Sequence, residues 1–365
     1  MTDTPVYEVV ANTLKNHGVT TVFGLISDDT VCVCAALDAM GVRFVGARHE
    51  NQAVSMADGF AAATDGLGVA VIGRGPALAN GFNGIYFANH TANAVLVIVG
   101  EAPADAGLQD ASGPDYKQRD FDQRKVLETA GIKTFVVDHA ETAGQTLLDA
   151  VAYTRDRKLA VLLLPKDIQE HLAELDTASA EADPSLPAPL ANESSITLAA
   201  QMLSTSKKPI VLAGRGAFRA GTKQQLVELA EKTGALLGTS LLGKDWFRGH
   251  PYNIGIIGEF SHSAARQLMQ ECDCVIAVGA SLNLHTMNNG QSFPGVPIIQ
   301  IDGDRNAIGR WSSVDVAIVG DARIALESLN DVVTKKPETE KHFHASSVLT
   351  KLKSFDIQTD YIPLD

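Results

Sequence analysis

Positive charge is in short supply in this chain: 30 lysines and arginines stand against 43 aspartates and glutamates, a formal charge of −13. A surface of that sign repels phosphate backbones and anionic lipid, which argues against nucleic acid and membrane partners and leaves small molecules and other protein chains. Long apolar runs are missing too. Nothing approaches the roughly 18 residues that a bilayer span needs, and Asp3, Glu8 and Lys15 interrupt the first 17 residues where a secretory segment has its apolar core. A cytoplasmic protein is expected. Cysteine is scarce, with four residues in two C-x-C pairs, Cys32 with Cys34 and Cys272 with Cys274. That spacing is not the C-x-x-C of common zinc sites and cannot readily close a disulfide, so all four are expected to be core thiols.

What the chain does have is apolar mass, 45% of its 365 residues, enough for two domains of ordinary size. Short β-rich runs alternate with helix-like segments, the pattern of a parallel sheet covered on both faces. In the first half the runs are 20–24, 42–47, 68–72, 94–100, 132–137 and 159–164, with helix-compatible stretches at 5–17, 29–40, 50–64, 78–89, 121–129 and 141–154. A second series follows at 209–213, 235–239, 273–279, 297–302 and 315–319. The expected fold class is therefore α/β, with two doubly wound parallel-sheet domains at 1–170 and 195–334. The stretch 171–194 is rich in Ala, Ser, Pro and acids and reads as a linker, as does 335–365, apart from a helix-like piece at 345–355.

The most informative stretch is RHENQAVSMADGFAAAT, residues 48–64, which places Glu50 where an apolar run passes into a helix. A carboxylate at the carboxyl end of a parallel strand lies where doubly wound sheets hold ligands. An acid in a first helical turn is also favoured by the macrodipole alone, by about 0.3–1 kcal/mol. The surrounding residues reach further. Ala53, Ala57, Asp58, Gly59, Phe60 and Ala61 form a small-residue helix that resembles the glutamate segment of thiamine diphosphate-dependent 2-oxo acid enzymes, the family of acetohydroxyacid synthase, pyruvate oxidase and the 2-oxo acid decarboxylases.

Other motifs extend the resemblance. Val22-Phe23-Gly24 is similar to the family's first strand end, although the Pro-Gly that follows in most members is Ile26-Ser27 here, then Asp28 and Asp29. The loop from Gly73 to Asn80 (GRGPALAN) resembles Thr-x-Gly-Pro-Gly-x-x-Asn, with Gly75, Pro76 and Asn80 agreeing, Gly73 in place of the threonine and Ala77 in place of the third glycine. Phe121-Asp122-Gln123 is similar to a Phe-Gln pair near the active site of several members, and VLLLPKDIQ at 161–169 to the domain-ending strand. In the second half, Leu241-Leu242-Gly243-Lys244, Gly279-Ala280-Ser281, Ile301-Asp302 and the stretch 314–321 resemble the central domain.

The resemblance implies that Glu50 bonds to the pyrimidine ring nitrogen of thiamine diphosphate and favours the imino tautomer that removes the thiazolium C2 proton, combining proximity with general-base catalysis. It also places Gln123 beside the reacting groups and Gly24, Gly75, Pro76 and Asn80 beside the cofactor. His49 is as readily structural as catalytic. In the central domain some relatives bind FAD or ADP, for which Gly214, Arg215, Gly216 and Asp302, with Arg219, would be the candidates; a glycine-rich strand-to-helix turn is by itself a weak signal. No Gly-Asp-Gly followed by Asn occurs, so the Mg2+ ligands are expected in a third, diphosphate-binding domain that this chain lacks, through truncation or as a separate chain, and the chain alone is expected to be inactive. The implied activity is decarboxylation or carboligation of a 2-oxo acid, a lyase or transferase reaction, in a homodimer or homotetramer. The alternative is a non-catalytic nucleotide-binding or regulatory subunit that retains the fold.

Overall fold

A computed structural model describes residues 3–105, 121–174 and 191–354. The chain divides into two compact units, residues 1–183 and 184–365. In the first, the ribbon strand β1 (Asp3–Pro5) precedes α1 (Val6–Asn16), β2 (Thr21–Gly24), α2 (Val31–Ala39), β3 (Arg43–Gly46), α3 (Glu50–Thr64), β4 (Gly68–Ile72), α4 (Pro76–Thr91) and β5 (Val95–Glu101). After them come α5 (Gln123–Thr129), β6 (Lys133–Val136), α6 (Ala143–Arg155), β7 (Leu159–Pro165), α7 (Lys166–Glu170) and β8 (Leu172–Glu174). Six strands form one parallel sheet in the order β3-β2-β4-β5-β7-β6.

Position in this sheet follows from composition. The unbroken apolar runs of β4 and β7 are buried along their whole length, as β5 is up to Gly100, and they sit inside the sheet; β3 and β6, which carry Arg43 and Lys133, form its edges. Two apolar layers, one around Leu14, Leu37 and Leu147 and one around Val54, Ile85 and Leu127, cover the two faces. The order turns back at β2 and β4, because β3 lies on one side of β2 and the chain returns to the other. A crevice opens at such a switch point, beyond the carboxyl ends of the strands.

The second unit holds α8 (Glu193–Thr205), β9 (Pro209–Ala213), α9 (Arg215–Arg219), α10 (Lys223–Thr233), β10 (Leu236–Thr239), β11 (Asn253–Ile256), α11 (Ser263–Gln270), β12 (Cys274–Val278), α12 (Leu284–Met287), β13 (Ile298–Asp302), β14 (Val316–Val319), α13 (Ala322–Val332) and α14 (Ser346–Lys353). Its sheet is also parallel, in the order β11-β10-β9-β12-β13-β14, with the switch between β9 and β12. The expected pair of doubly wound domains is present, with one strand more in the second than its apolar runs suggested. That strand, Asn253–Ile256, is an edge strand bearing an asparagine and a glycine.

The boundaries differ from the sequence reading. Leu172–Glu174 pairs antiparallel with Asp3–Pro5 and so belongs to the first domain, while Asn192 caps α8 through its side chain, which accepts from Ser194 N at 2.9 Å. Residues 175–190 of the expected linker lie outside the described residues. The segment after residue 334 also departs from a linker, because apolar and stacked groups fasten it to the second domain. Phe343 is fully buried, the His344 ring stacks on Tyr252 at 3.7 Å, and His344 Nε2 lies 3.0 Å from the Ala235 carbonyl. Residues 355–365 of that expected linker fall outside the described part. Among the described residues no helix is long and apolar enough to cross a membrane.

Candidate active site

Three strand ends meet at the first switch point. The loop after β2 supplies Ser27, Asp28 and Asp29; the segment after β3 supplies Glu50; the turn after β4 supplies Gly73, Arg74, Pro76, Ala77 and Asn80. Together they line a cavity of about 240 Å³. Glu50 opens α3 and is buried, its negative charge placed at the positive end of a 15-residue helix. His49 is the cap: it is exposed and its Nδ1 accepts from Asn51 N at 3.2 Å, so the ring serves the helix end.

Asn80, on the second turn of α4, donates through Nδ2 to Glu50 Oε2 at 3.0 Å. Glu50 Oε1 has no hydrogen-bond partner among the described residues. A carboxylate with one oxygen fixed and the other open to a cavity can receive an N–H from a bound heterocycle, and an ionised acceptor makes that bond a strong one. The residues present thus suit the ring end of a ligand. They do not suit a metal: among the described residues no group of three or more His, Cys, Asp or Glu could hold one.

The α4 turn is itself held from two sides. Gly75 takes φ +57°, a backbone setting that only glycine adopts without strain, and Pro76 follows at the first helical position. Gln123, first residue of α5 and 2% exposed, accepts from Gly75 N at 2.7 Å and donates to the Gly100 carbonyl at 3.0 Å. Both ends of its amide are engaged with backbone, so in this arrangement Gln123 clamps the turn. Gly24 ends β2 with no room for a side chain, since a Cβ would lie 2.5 Å from the Val71 carbonyl oxygen. The sequence reading passed over the central pair of this site: Asp29 and Arg74 form a buried ion pair at 3.6 Å, and Asp29 Oδ2 also accepts from Arg74 N at 2.9 Å. The only hint was two charges in loops where the resembling family carries other residues.

The central-domain candidates also meet at a switch point, and there the glycines answer to each other. Gly214 N donates to the Val278 carbonyl at 2.8 Å and Gly216 N to the Gly279 carbonyl at 3.0 Å. Gly279 has φ +55°, and a Cβ on it would lie 2.3 Å from Ala217 N. The glycine-rich turn therefore serves close packing of two strand-end loops, and the amides of Gly214 and Gly216 are already in use. Asp302 ends β13 half-buried; burial pushes its carboxyl above the usual carboxylate range, and Oδ1 accepts from Asp304 N at 3.0 Å. Arg215 and Arg219 lie on the five-residue α9.

With this geometry in hand, two descriptions of known domains match the chain: the N-terminal TPP binding domain of thiamine pyrophosphate enzymes over residues 4–125, and the central domain of the same enzymes over 196–329. The Escherichia coli acetolactate synthase isozyme 3 large subunit is 30% identical over 337 residues, 90% of this chain and 58% of its own length. The acetolactate synthase large subunit of Buchnera aphidicola subsp. Schizaphis graminum is 28% identical over 352 residues, 93% of this chain and 59% of its own length. The chain thus spans somewhat over half the length of these curated relatives. An X-ray structure described as a thiamin diphosphate-dependent enzyme from Mycobacterium smegmatis superposes with a TM-score of 0.75 at 21% identity, over 92% of this chain and 64% of that one, a likeness of fold.

Proposed function

Because the chain belongs to the thiamine pyrophosphate enzyme family and carries its N-terminal and central domains, we propose that it forms the pyrimidine-binding side of an enzyme that decarboxylates a 2-oxo acid or joins it to a second carbonyl, as an acetolactate synthase does. The observation that carries this reading is Glu50, a buried carboxylate with one oxygen fixed by Asn80 and the other open to the cavity at the switch point. When bound, thiamine diphosphate supplies the electron sink for breaking the bond beside a 2-oxo group. Glu50 would hold the proton at the pyrimidine ring nitrogen, Asn80 would orient Glu50, and Gly75 and Pro76 would set the turn that carries Asn80.

The diphosphate and Mg2+ are assigned to a domain outside this chain, on the same polypeptide or another, and the working unit is a homodimer or homotetramer. A lyase or transferase reaction fits the acetolactate synthase likeness. A nucleotide in the central domain, FAD or ADP, would be held by the side chains of Arg215, Arg219 and Asp302, since the Gly214 and Gly216 amides donate within the domain. That same engagement weakens the alternative of a non-catalytic nucleotide-binding subunit.

The test is hydrogen–deuterium exchange at C2 of the bound cofactor, in a form that contains the diphosphate-binding domain, for the unaltered protein and Glu50→Gln. The amide is nearly isosteric, so folding is retained while the charge is lost. Exchange and turnover are expected to fall on the order of 10²–10⁴-fold, the range of a general acid–base group. An unchanged exchange rate would leave Glu50 as an ordinary helix-terminal acid.

A further inference from the structure

We infer that Asp29 is a positioning residue for Glu50, acting through the turn from Gly73 to Asn80 with Arg74 as its counterion. Its chemical meaning rests on Glu50 being the acid–base group, whereas the geometry is independent of any ligand. Asp29 is 3% exposed and Arg74 6%. Charges so far from water persist only when paired and hydrogen-bonded, and Asp29 meets that condition from several directions. The Ser27 hydroxyl donates to Oδ1, Arg74 N donates to Oδ2 at 2.9 Å, and the Arg74 guanidinium Nε lies 3.6 Å from Oδ2. Gln169 Nε2, from α7, donates to the Asp29 carbonyl at 2.7 Å.

Room for the carboxylate comes from missing side chains. A Cβ at Gly100 would stand 2.5 Å from Asp29 Cγ, and one at Gly73 would stand 2.5 Å from Ser27 Oγ and 3.2 Å from Asp29 Oδ1. The loop after β2, the turn after β4, the end of β5 and α7 after β7 therefore all converge on one aspartate. Where the resembling family turns the first loop with Pro-Gly, this chain has Ile26-Ser27 and ties the loop electrostatically.

The tie reaches Glu50 through backbone. Two successive amides at the entrance of α4 are held by side chains from elsewhere, Arg74 N by Asp29 and Gly75 N by Gln123. Asn80 lies one turn further along the same helix and donates to Glu50. Glu50 itself is fixed from α3, so a shift of the α4 entrance changes the Asn80 to Glu50 distance. A misplacement of about 1 Å in a catalytic arrangement costs on the order of 10²-fold in rate.

The test uses the 365-residue chain and nuclear magnetic resonance, with the Asn80 side-chain amide signals read in the unaltered protein and in Glu50→Ala as the reference for a broken bond. Asp29→Asn keeps an acceptor for Arg74 N but removes the carboxylate charge that faces the guanidinium Nε at 3.6 Å. Its Asn80 signals are expected to move to the broken-bond position, and exchange of the Arg74 amide with solvent to rise about tenfold. Asp29→Asn combined with Arg74→Met removes both charges, and the Asn80 signals should return. A merely local structural role would disturb the Arg74 amide without moving Asn80. Folded Asp29→Asn with unaltered Asn80 signals overturns the inference, as does a folded double variant in which they do not recover. Should Asp29→Asn fail to fold, Ser27→Ala removes one donor to Asp29 and keeps both charges; a displaced Asn80 signal supports the role and an unaltered one overturns it. Failure of the catalytic reading shows instead in C2 exchange that Glu50→Gln leaves unchanged, with no bearing on the Asn80 signals.

Discussion

Single side chains in this protein divide into those whose role is written in their type and those whose role depends on a distant partner. The proposed role of Glu50 is of the first kind only with its neighbours, since an acid in a first helical turn is ordinary by position and the small-residue helix around it sets it apart. Asp29 is of the second: its partner Arg74 is 45 positions away, and nothing local announces the pair. Removing one charge of a buried pair costs about 3–5 kcal/mol, whereas replacing both by neutral groups of similar volume is near neutral. In urea denaturation of the whole chain, Asp29→Asn is thus expected to lose stability on that scale, and Asp29→Asn with Arg74→Met to regain most of it. Gly279→Ala is a second case. The new methyl would sit 2.3 Å from Ala217 N at a φ of +55°, so a loss of more than about 1 kcal/mol is expected by the same measurement. Three of the four cysteines are core thiols as expected, whereas Cys32 is only half-buried: burial pushes the Cys34 thiol up to about 11 and Cys274 up to about 12, and Cys272 is raised as well. Slow labelling of these three by a thiol reagent is expected until the chain unfolds.

Among the elements, β4, β5 and β7 were legible as continuous apolar runs, and the edge strands β3 and β6 through the apolar residues of 42–47 and 132–137. Asn253–Ile256 and the three-residue pair β1 and β8 were not, since an edge strand or a short ribbon needs no apolar run. Basic residues at the far end of the first sheet have a plain reading too. His17, Arg155 and Arg157 line a cavity of about 400 Å³ where α1, α3 and α6 end, and positive charge there complements the carbonyl ends of the helices. In the segment 335–354 the helix-like piece expected at 345–355 is α14, whereas the charges before it are those of a linker and hide the packing done by Phe343, Val348 and the His344 ring. Burial holds His344 and His250 below the ordinary 6.5 of histidine. Their neutral forms favour the fold, so their contribution is complete above pH 6.5 and is lost as pH falls through the lowered values. The melting temperature of the chain should drop between pH 7 and about 5, before ordinary carboxylates protonate. In His344→Gln, which can still donate to Ala235, the drop should be smaller; an identical slope would show that the stacked ring carries none of it.

At the level of the whole molecule, the two-domain α/β architecture was readable from alternation of runs alone, and the family from the Glu50 segment. The geometry of the sites was not, because a glycine-rich turn looks the same whether it faces a phosphate or another loop. Only the Gly279 carbonyl, 3.0 Å from Gly216 N, distinguishes them. With the residues proposed for the ring in place and no described cluster able to hold a metal, this chain alone is expected to bind thiamine diphosphate weakly or not at all in calorimetry. Saturable micromolar binding that depends on Mg2+ would reveal a phosphate site within it.

The entrance of a long helix such as α4 is an ordinary seat for an anion, since its free amides and the helix dipole both favour negative charge. Here the Arg74 and Gly75 amides are already answered, one by Asp29 and one by Gln123. On the proposed reading of Glu50, a rod-shaped ligand with an uncharged ring at one end and an anionic tail at the other would set its ring at the open oxygen of Glu50, and neither of these two amides would be left for its tail. On that reading the cavity would give such a ligand a direction, ring inward and charge outward.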